Sequence, residues 1–466
     1  MTHPARVGAV VLAAGAGSRF GGGKLLAPLA GRPVLQHVLD TLAPIGLGEI
    51  VVVVGADPAG VAAGIDWRGE RIVANPHPDR GLASSLQVGV AALGMGRQAV
   101  LIVLGDQPDV RAEVIRQLLE AETTARRPVL VPCYAEGGGR NPVLLRRSSW
   151  PQIDRLEGDH GLGDWLAAHP EEVLEVAVEG CNPDVDTPAD LALLAWERQV
   201  LANGAQVERI REAPDGPDFY ATTSAIFRAD PDRTGDEVLD ALLALARPTD
   251  TWLDVGAGAG RYALPLARHV REVIALDPSA TMLGDLRALA AEHGIDNVRT
   301  IAARWPLDAA GLAQVGEAPA GDVALIAHVG YDIATIGPFL DALEGSAGRA
   351  CVAVLMEQSP AALAEPLWPP VHGEARIPLP ALDAFVALLA ARGREPAVRY
   401  VTVAESGRVW EELEAFARRQ TWVAPGSEKE ARMLGTLRDL AIELPDGRWT
   451  IPQPPRRVGI VSWAPR

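Results

Sequence analysis

Unbroken apolar runs, not alternating ones, set the rhythm of residues 1–200. Positions 7–12, 50–54 and 99–104 are stretches of Val, Ile, Leu and Ala interrupted only by Gly8. Such runs predict strands buried on both faces of a parallel sheet. A shorter run covers 129–131. Between the runs the period changes: Leu35, Val38, Leu39 and Leu42 fall on one helical face. Helix-like segments also lie near 84–93, 111–121 and 188–199. Strand and helix therefore alternate, which predicts an α/β unit. The pattern fades after Gln199.

Residues 201–235 carry clusters of Gly, Pro and Asp and read as a connector with some helix. A second start follows: helix 237–246, strand 251–255, a new glycine loop, and a helix from Arg261. Further strands are predicted at 273–276 and 322–327, and the proline-rich stretch 359–380 reads as a long surface loop or cap. The two glycine loops differ in spacing, so the chain reads as a fusion of unlike domains. The expectation is two Rossmann-like three-layer α/β/α domains in tandem, 1–200 and 236–466, joined by 201–235.

At 466 residues the chain is too long for one ordinary core. Its net charge of −17 leaves no basic footprint for a nucleic-acid partner. Cys133, Cys181 and Cys351 are widely spaced with no CxxC pair, which suits a reducing, cytoplasmic compartment and neither disulfides nor zinc. Residues 1–8 show no signal pattern and no run approaches a membrane span, so no membrane partner is expected. Arginine abounds, yet only two lysines occur, Lys24 and Lys429. A compact ammonium at position 24 is therefore a selective choice over a fork-shaped guanidinium.

Lys24 closes the first glycine loop, Leu12-Ala13-Ala14-Gly15-Ala16-Gly17-Ser18-Arg19-Phe20-Gly21-Gly22-Gly23-Lys24. Glycines let backbone N–H groups approach an anion, and Arg19 and Lys24 can neutralise phosphate charge. The lysine is not followed by Ser or Thr, so this is not a Walker loop. Asp106 follows the run at 99–104, at the strand end where ligands bind in open α/β sheets, and is placed to hold Mg²⁺ on a triphosphate. It could equally cap the strand end. Asp186, in Asp184-Val185-Asp186-Thr187-Pro188, could supply a second metal ligand. Thr187 and Pro188 also make an ordinary helix start.

Taken in order, LAAGAGSRFGGGK, NPHPDRGLASSL, LGDQPDV, GRNPVLL, GDHGLGDWL and DVDTPADL resemble the MobA-like nucleotidyltransferases, within them the molybdenum cofactor cytidylyltransferases. The resemblance covers about residues 6–199. It implies a nucleotide-diphospho-sugar-transferase-like fold and NTP phosphates held by loop 12–24 (Leu12, Ala13, Ala14, Gly15, Gly17, Arg19, Lys24). It also implies that Asn75, Ser84 and Ser85 lie near the nucleotide and that Asp106 binds Mg²⁺. Ala13-Ala14, in place of Gly-Gly, resembles the branch using CTP, with a phosphorylated acceptor such as molybdopterin. Two segments depart from the resembled pattern. Arg140-Asn141-Pro142 stands where those enzymes read Gly-His-Pro, and Gly158-Asp159-His160-Gly161-Leu162-Gly163 where they read Gly-Asp-x-Gly-Ala-Arg. Both would face the acceptor.

The second loop, Asp254-Val255-Gly256-Ala257-Gly258-Ala259-Gly260-Arg261, has GxGxG spacing, unlike dinucleotide sites. The next apolar run ends in Asp277, where a carboxylate can take both ribose hydroxyls, and Asp254 can face an ammonium. A cofactor with a ribose, an amino-acid tail and no phosphates fits this set. The residues resemble motifs I and II of class I methyltransferases over about 236–356. That likeness implies S-adenosylmethionine bound by Asp254, Gly256, Gly258, Gly260 and Asp277, and a small-molecule methyl acceptor. Trp305 is placed to stack on adenine or to pack in the core. His328 is placed as a base or as a structural histidine. A rival reading gives the first domain a sugar- or alcohol-phosphate acceptor and makes the second a non-catalytic sensor of S-adenosylmethionine.

Overall fold

The computed structural model describes residues 4–15, 17–56, 58–158, 161–212, 228–403 and 407–466. The chain divides into two units, 1–191 and 192–466, each with its own seven-stranded sheet. No helix among the described residues is long and apolar enough to cross a membrane.

In the first unit the strands are β1 (Val7–Ala13), β2 (Glu49–Val54), β3 (Arg71–Ala74), β4 (Ala99–Leu104), β5 (Val129–Tyr134), β6 (Val143–Arg146) and β7 (Val173–Val178). Their order is β3-β2-β1-β4-β6-β5-β7. β1 is buried along its whole length and pairs in parallel with β2 and β4, Leu12 lying level with Val53 and Leu104. Only β6 runs antiparallel to its neighbours. The predicted helical face of α1 (Val34–Leu42) packs with α3 (Ala112–Glu122) on one side of the sheet. α2 (Leu82–Ala92) and α4 (Gly161–Ala168) cover the other. β3, β6 and β7 were not predicted. β3 and β6 are only four residues long, and β7 alternates half-buried and exposed positions between its buried ends, as a half-solvated edge does.

The helix expected at 188–199 is α5 (Pro188–Ile210), which runs on through the first part of the predicted connector. The division between the units falls inside it, ahead of position 200. Beyond Trp196 its buried stripe includes Asn203 and Gln206, polar residues that hid the helical period. Their amides are satisfied by backbone: Gln206 donates to Ala375 O (2.8 Å) and accepts from Ile377 N (2.7 Å), and Asn203 donates to Ile377 O. Residues 213–227 of the predicted connector lie outside the described residues.

The second sheet contains β8 (Thr251–Val255), β9 (Glu272–Asp277), β10 (Val298–Ala302), β11 (Gly321–Ala327), β12 (Ala347–Met356), β13 (Ala397–Val403) and β14 (Arg456–Trp463). Its order is β10-β9-β8-β11-β12-β14-β13, with β14 inserted antiparallel between β12 and β13. The stretch 359–380 corrects the loop expectation. It forms a 3-10 helix Pro360–Leu367 and a short helix Trp368–His372, with Leu363, Leu367, Trp368 and Val371 buried. With Leu413, Phe416, Met433 and Leu437 of two later helices, Leu363, Leu367 and Val371 build a small separate core, which is the cap alternative.

Candidate functional sites

The first glycine loop leaves the carboxyl end of β1. Gly17, Gly21, Gly22 and Gly23 all have left-handed backbones (φ 58°, 85°, 95° and 69°), a run that only glycine adopts without strain. Leu12, Ala13 and Ala14 are buried beneath it, Gly15 faces open space, and Ala16 lies outside the described residues. The turn delivers Lys24 into a carboxylate cluster. Its Nζ lies 2.6 Å from Asp106 Oδ2 and 3.3 Å from Asp186 Oδ1, while Arg19 Nη1 reaches Asp186 Oδ2 at 3.1 Å. Burial works against the Lys24 charge, but Asp106 and then Asp186 outweigh it and hold the ammonium above its ordinary range.

Close packing fixes Asp106. Gly105 N donates to Leu12 O (2.9 Å), and a Cβ at Gly105 would lie 3.1 Å from that same oxygen. Val185 N donates to Asp106 O (3.0 Å), which brings the 184–186 segment alongside. The helix-start reading of this segment is seen directly. Thr187 and Asp190 cap the helix reciprocally, Thr187 N donating to Asp190 Oδ2 (2.7 Å) and Asp190 N to Thr187 Oγ1 (3.2 Å). The Asp186 carboxylate is therefore not consumed as the cap. Asp184, which sequence reasoning named only as part of the motif, joins the cluster. Partial burial, then the Asp106 and Asp186 charges, push its carboxyl above the usual range. The Asp-x-Asp spacing was the signal available for it.

Asn75 is almost fully buried and its amide is committed within the fold. Nδ2 donates to Ser84 Oγ (2.8 Å) and Ser85 Oγ (2.9 Å), and Oδ1 accepts from His77 N (2.9 Å). These three residues thus latch loop 75–81 to the start of α2. Beside Leu12 a cavity of about 300 Å³ opens, with Arg140, Asn141 and Gly163 among its lining. Asp159 and His160 of the predicted acceptor segment lie outside the described residues.

In the second unit, Asp254 ends inside β8 and is 2% exposed. Its Oδ1 has no hydrogen-bond partner among the described residues. Burial, helped by the Asp277 charge, pushes its carboxyl up to about 7. Asp277 accepts from Gly258 N (2.9 Å) and Ser279 N (2.8 Å), tying the glycine loop to the start of the helix Ala280–Glu292. Gly256 has φ 78°, and a Cβ there would meet Val329 Cγ2 at 2.4 Å. Gly258 and Gly260 are also left-handed (φ 55° and 86°).

His328 follows β11 in a left-handed conformation (φ 59°), uncommon for a residue with a Cβ. Its backbone N donates to Val354 O (2.8 Å), while Nδ1 is shielded and has no partner among the described residues. Burial, then the Arg261 charge, lowers its pKa to about 4, so the ring is neutral at ordinary pH. Trp305 packs against the core cluster around Phe339 and donates its Nε1–H to Phe339 O at 3.4 Å. Sequence reasoning missed Tyr262, whose ring centroid lies 6.4 Å from that of His328. Nothing in the local sequence marks that proximity.

A family model described as MobA-like NTP transferase domain matches residues 9–173, and one described as methyltransferase domain matches 253–311. Nicotine blue oxidoreductase of Paenarthrobacter nicotinovorans is 32% identical over 190 residues, 38% of this chain and 91% of that protein. The bifunctional protein GlmU of Rhizorhabdus wittichii is 38% identical over 181 residues, so the match spans only 37% of each chain. Among solved structures, Rv0371c from Mycobacterium tuberculosis is similar at 31% identity over 41% of this chain and 96% of that one, with a TM-score of 0.38.

Proposed function

Since the chain belongs to the MobA-like NTP transferase family over its first unit and carries a methyltransferase domain in its second, we propose a bifunctional enzyme. It moves a nucleotidyl group from CTP to a phosphorylated acceptor, and a methyl group from S-adenosylmethionine to a small molecule. The observation that carries the first activity is the meeting of Lys24 and Arg19 with Asp106 and Asp186 at the carboxyl edge of the sheet. These carboxylates are hard oxygen donors and fit Mg²⁺. Asp106 and Asp186 would hold the ion, which when bound offsets charge on the triphosphate.

An oxygen of the acceptor phosphate forms a bond to the α-phosphorus. The bond from that phosphorus to the bridging oxygen breaks, and pyrophosphate leaves with the electron pair. Lys24 and Arg19 turn from the carboxylates to the phosphates, and the loop of Leu12, Ala13, Ala14, Gly15 and Gly17 presents its backbone to them. Asn75, Ser84 and Ser85 act as positioning residues that keep loop 75–81 against the nucleotide. Rate enhancement comes from positioning and charge neutralisation, with no protein nucleophile. Molybdopterin is the acceptor that the family resemblance implies. Cys133 and Cys181 are exposed and in no disulfide, which suits a cytoplasmic setting.

In the second unit the buried Asp254 oxygen, which has no partner among the described residues, fits the ammonium of S-adenosylmethionine, and Asp277 fits its ribose. When bound, that cofactor supplies an electrophilic methyl group. The neutral His328 ring, too weak a base at a pKa of about 4 to keep a proton, acts as a positioning residue that accepts a hydrogen bond from the methyl acceptor, whose proton passes to solvent, and Trp305 borders the adenine side. The test is pyrophosphate release from each of the four NTPs with a panel of phosphorylated acceptors, alongside calorimetry with S-adenosylhomocysteine. CTP-dependent release that Asp106→Asn abolishes is expected. No release with any pair, from a folded chain, overturns the nucleotidyl reading, and absence of S-adenosylhomocysteine binding overturns the methyl-transfer reading.

A further inference from the structure

The cavity beside loop 12–24 has a mainly apolar wall. Leu12, Ile102, Leu104, Val143, Leu162 and Leu166 are among its lining, and among the described residues its polar side chains are Arg140 and Asn141. Both segments that depart from the resembled pattern contribute to it, one through Arg140 and Asn141 and the other through Leu162 and Gly163. We infer that this cavity takes the non-phosphate body of the acceptor, and that the body is apolar: the acceptor is the phosphate of an alkyl or aryl alcohol, not of a sugar. This rests on the nucleotidyl-transfer reading above.

Position supports the assignment. Leu12 is the last residue but one of β1 before the glycine loop. Leu104 stands two residues before Asp106, and since a turn follows the strand the two lie at most about 7 Å apart along the chain. A molecule whose phosphate sits at Lys24 and Asp106 therefore places its body at this mouth. Chemistry supports it too. The Asn141 backbone carbonyl is already taken by the Tyr134 hydroxyl (2.9 Å) and Asn182 Nδ2 (3.3 Å), which leaves its side-chain amide at the cavity, and Arg140 is paired with Glu175 at 3.3 Å on the exposed side. Sugar hydroxyls placed here would give up water and find few partners, whereas each methylene buried gains about fourfold in affinity (about 0.8 kcal/mol). The transfer step is unchanged: the acceptor phosphate oxygen bonds to the α-phosphorus and pyrophosphate departs with the electron pair.

The experiment uses the full chain with CTP and Mg²⁺ and follows pyrophosphate release with ethyl, propyl, butyl and hexyl phosphate and with glucose 1-phosphate. The expected result is a kcat/KM rising about fourfold per methylene until the cavity is filled, with glucose 1-phosphate at least tenfold below butyl phosphate. Gly163→Leu is the companion variant. Gly163 is exposed on the lining and a Cβ there meets nothing within 4 Å, so a leucine is added at the cavity's edge without forcing the fold. It should flatten the chain-length series through acceptor KM while leaving the KM for CTP in place. A series that is flat or silent while calorimetry shows CTP bound overturns the inference alone. So does a Gly163→Leu effect that falls on CTP, which would assign the cavity to the nucleoside. No CTP binding and no release with any acceptor removes the nucleotidyl reading and this inference with it.

Discussion

Replacing Asp254 with Asn should stabilise the second unit at alkaline pH while weakening its ligand site. The carboxyl is 2% exposed, one oxygen has no partner among the described residues, and its pKa rises from 3.8 to about 7. The shift, about 3 units at 1.36 kcal/mol each, amounts to at most about 4 kcal/mol. The sign follows from proton counting. Between pH 3.8 and about 7 the folded state keeps a proton that the unfolded state has released, so stability falls as pH rises and the full cost stands above pH 7. Asn keeps the shape and cannot ionise. The gain of the variant over wild type should therefore be about 1 kcal/mol near pH 4.5 and reach up to about 4 kcal/mol at pH 8. Native-state hydrogen exchange of the β8 amides in the full chain measures this directly, since 4 kcal/mol is roughly a thousandfold in protection. Asp277 lies within reach of the Asp254 charge, so the difference between the two proteins reads the Asp254–Asp277 pair, with burial of Asp254 as its larger part. Conversely, S-adenosylhomocysteine should bind wild type more tightly as pH passes 7 and bind the variant poorly at every pH. Equal β8 protection in the two proteins at pH 8 would refute the reasoning.

Lys24→Arg should lower pyrophosphate release by about 100-fold with the fold intact by circular dichroism. The ammonium reaches two carboxylates from a nearly closed position, and a forked guanidinium displaces the phosphate by about an ångström. Gly256→Ala should cost the second unit about 2–4 kcal/mol, from a left-handed φ and a Cβ 2.4 Å from Val329, read by the same hydrogen exchange. Asp277→Ala leaves Gly258 N and Ser279 N without their acceptor. It should lose about 1–3 kcal/mol of S-adenosylhomocysteine affinity by calorimetry, while Asp277→Asn, which keeps an acceptor oxygen, should lose less.

Several features were legible in the sequence because their physics is local. An unbroken apolar run followed by glycines and a carboxylate specifies a buried strand, a tight turn and a charge at the strand end, and both units have all three. Thus Lys24, Asp106, Asp254 and Asp277 were assigned to loops and strand ends from pattern alone. Other features depend on residues far apart in the chain. Asp184 and Asp186 meet Lys24 only because β4 and the 182–186 segment come together, and Asp186 is free for Lys24 only because Thr187 and Asp190 cap the helix. Asn203 and Gln206 look like connector residues until backbone at 375–377 satisfies their amides in a buried helix face. The edge strand β7 and the inserted β14 owe their pairing to neighbours that no local period reveals. The protonation of Asp254 belongs to the tertiary structure as well. Its sequence neighbours give it a place at a strand end, but desolvation by surrounding chain sets its charge.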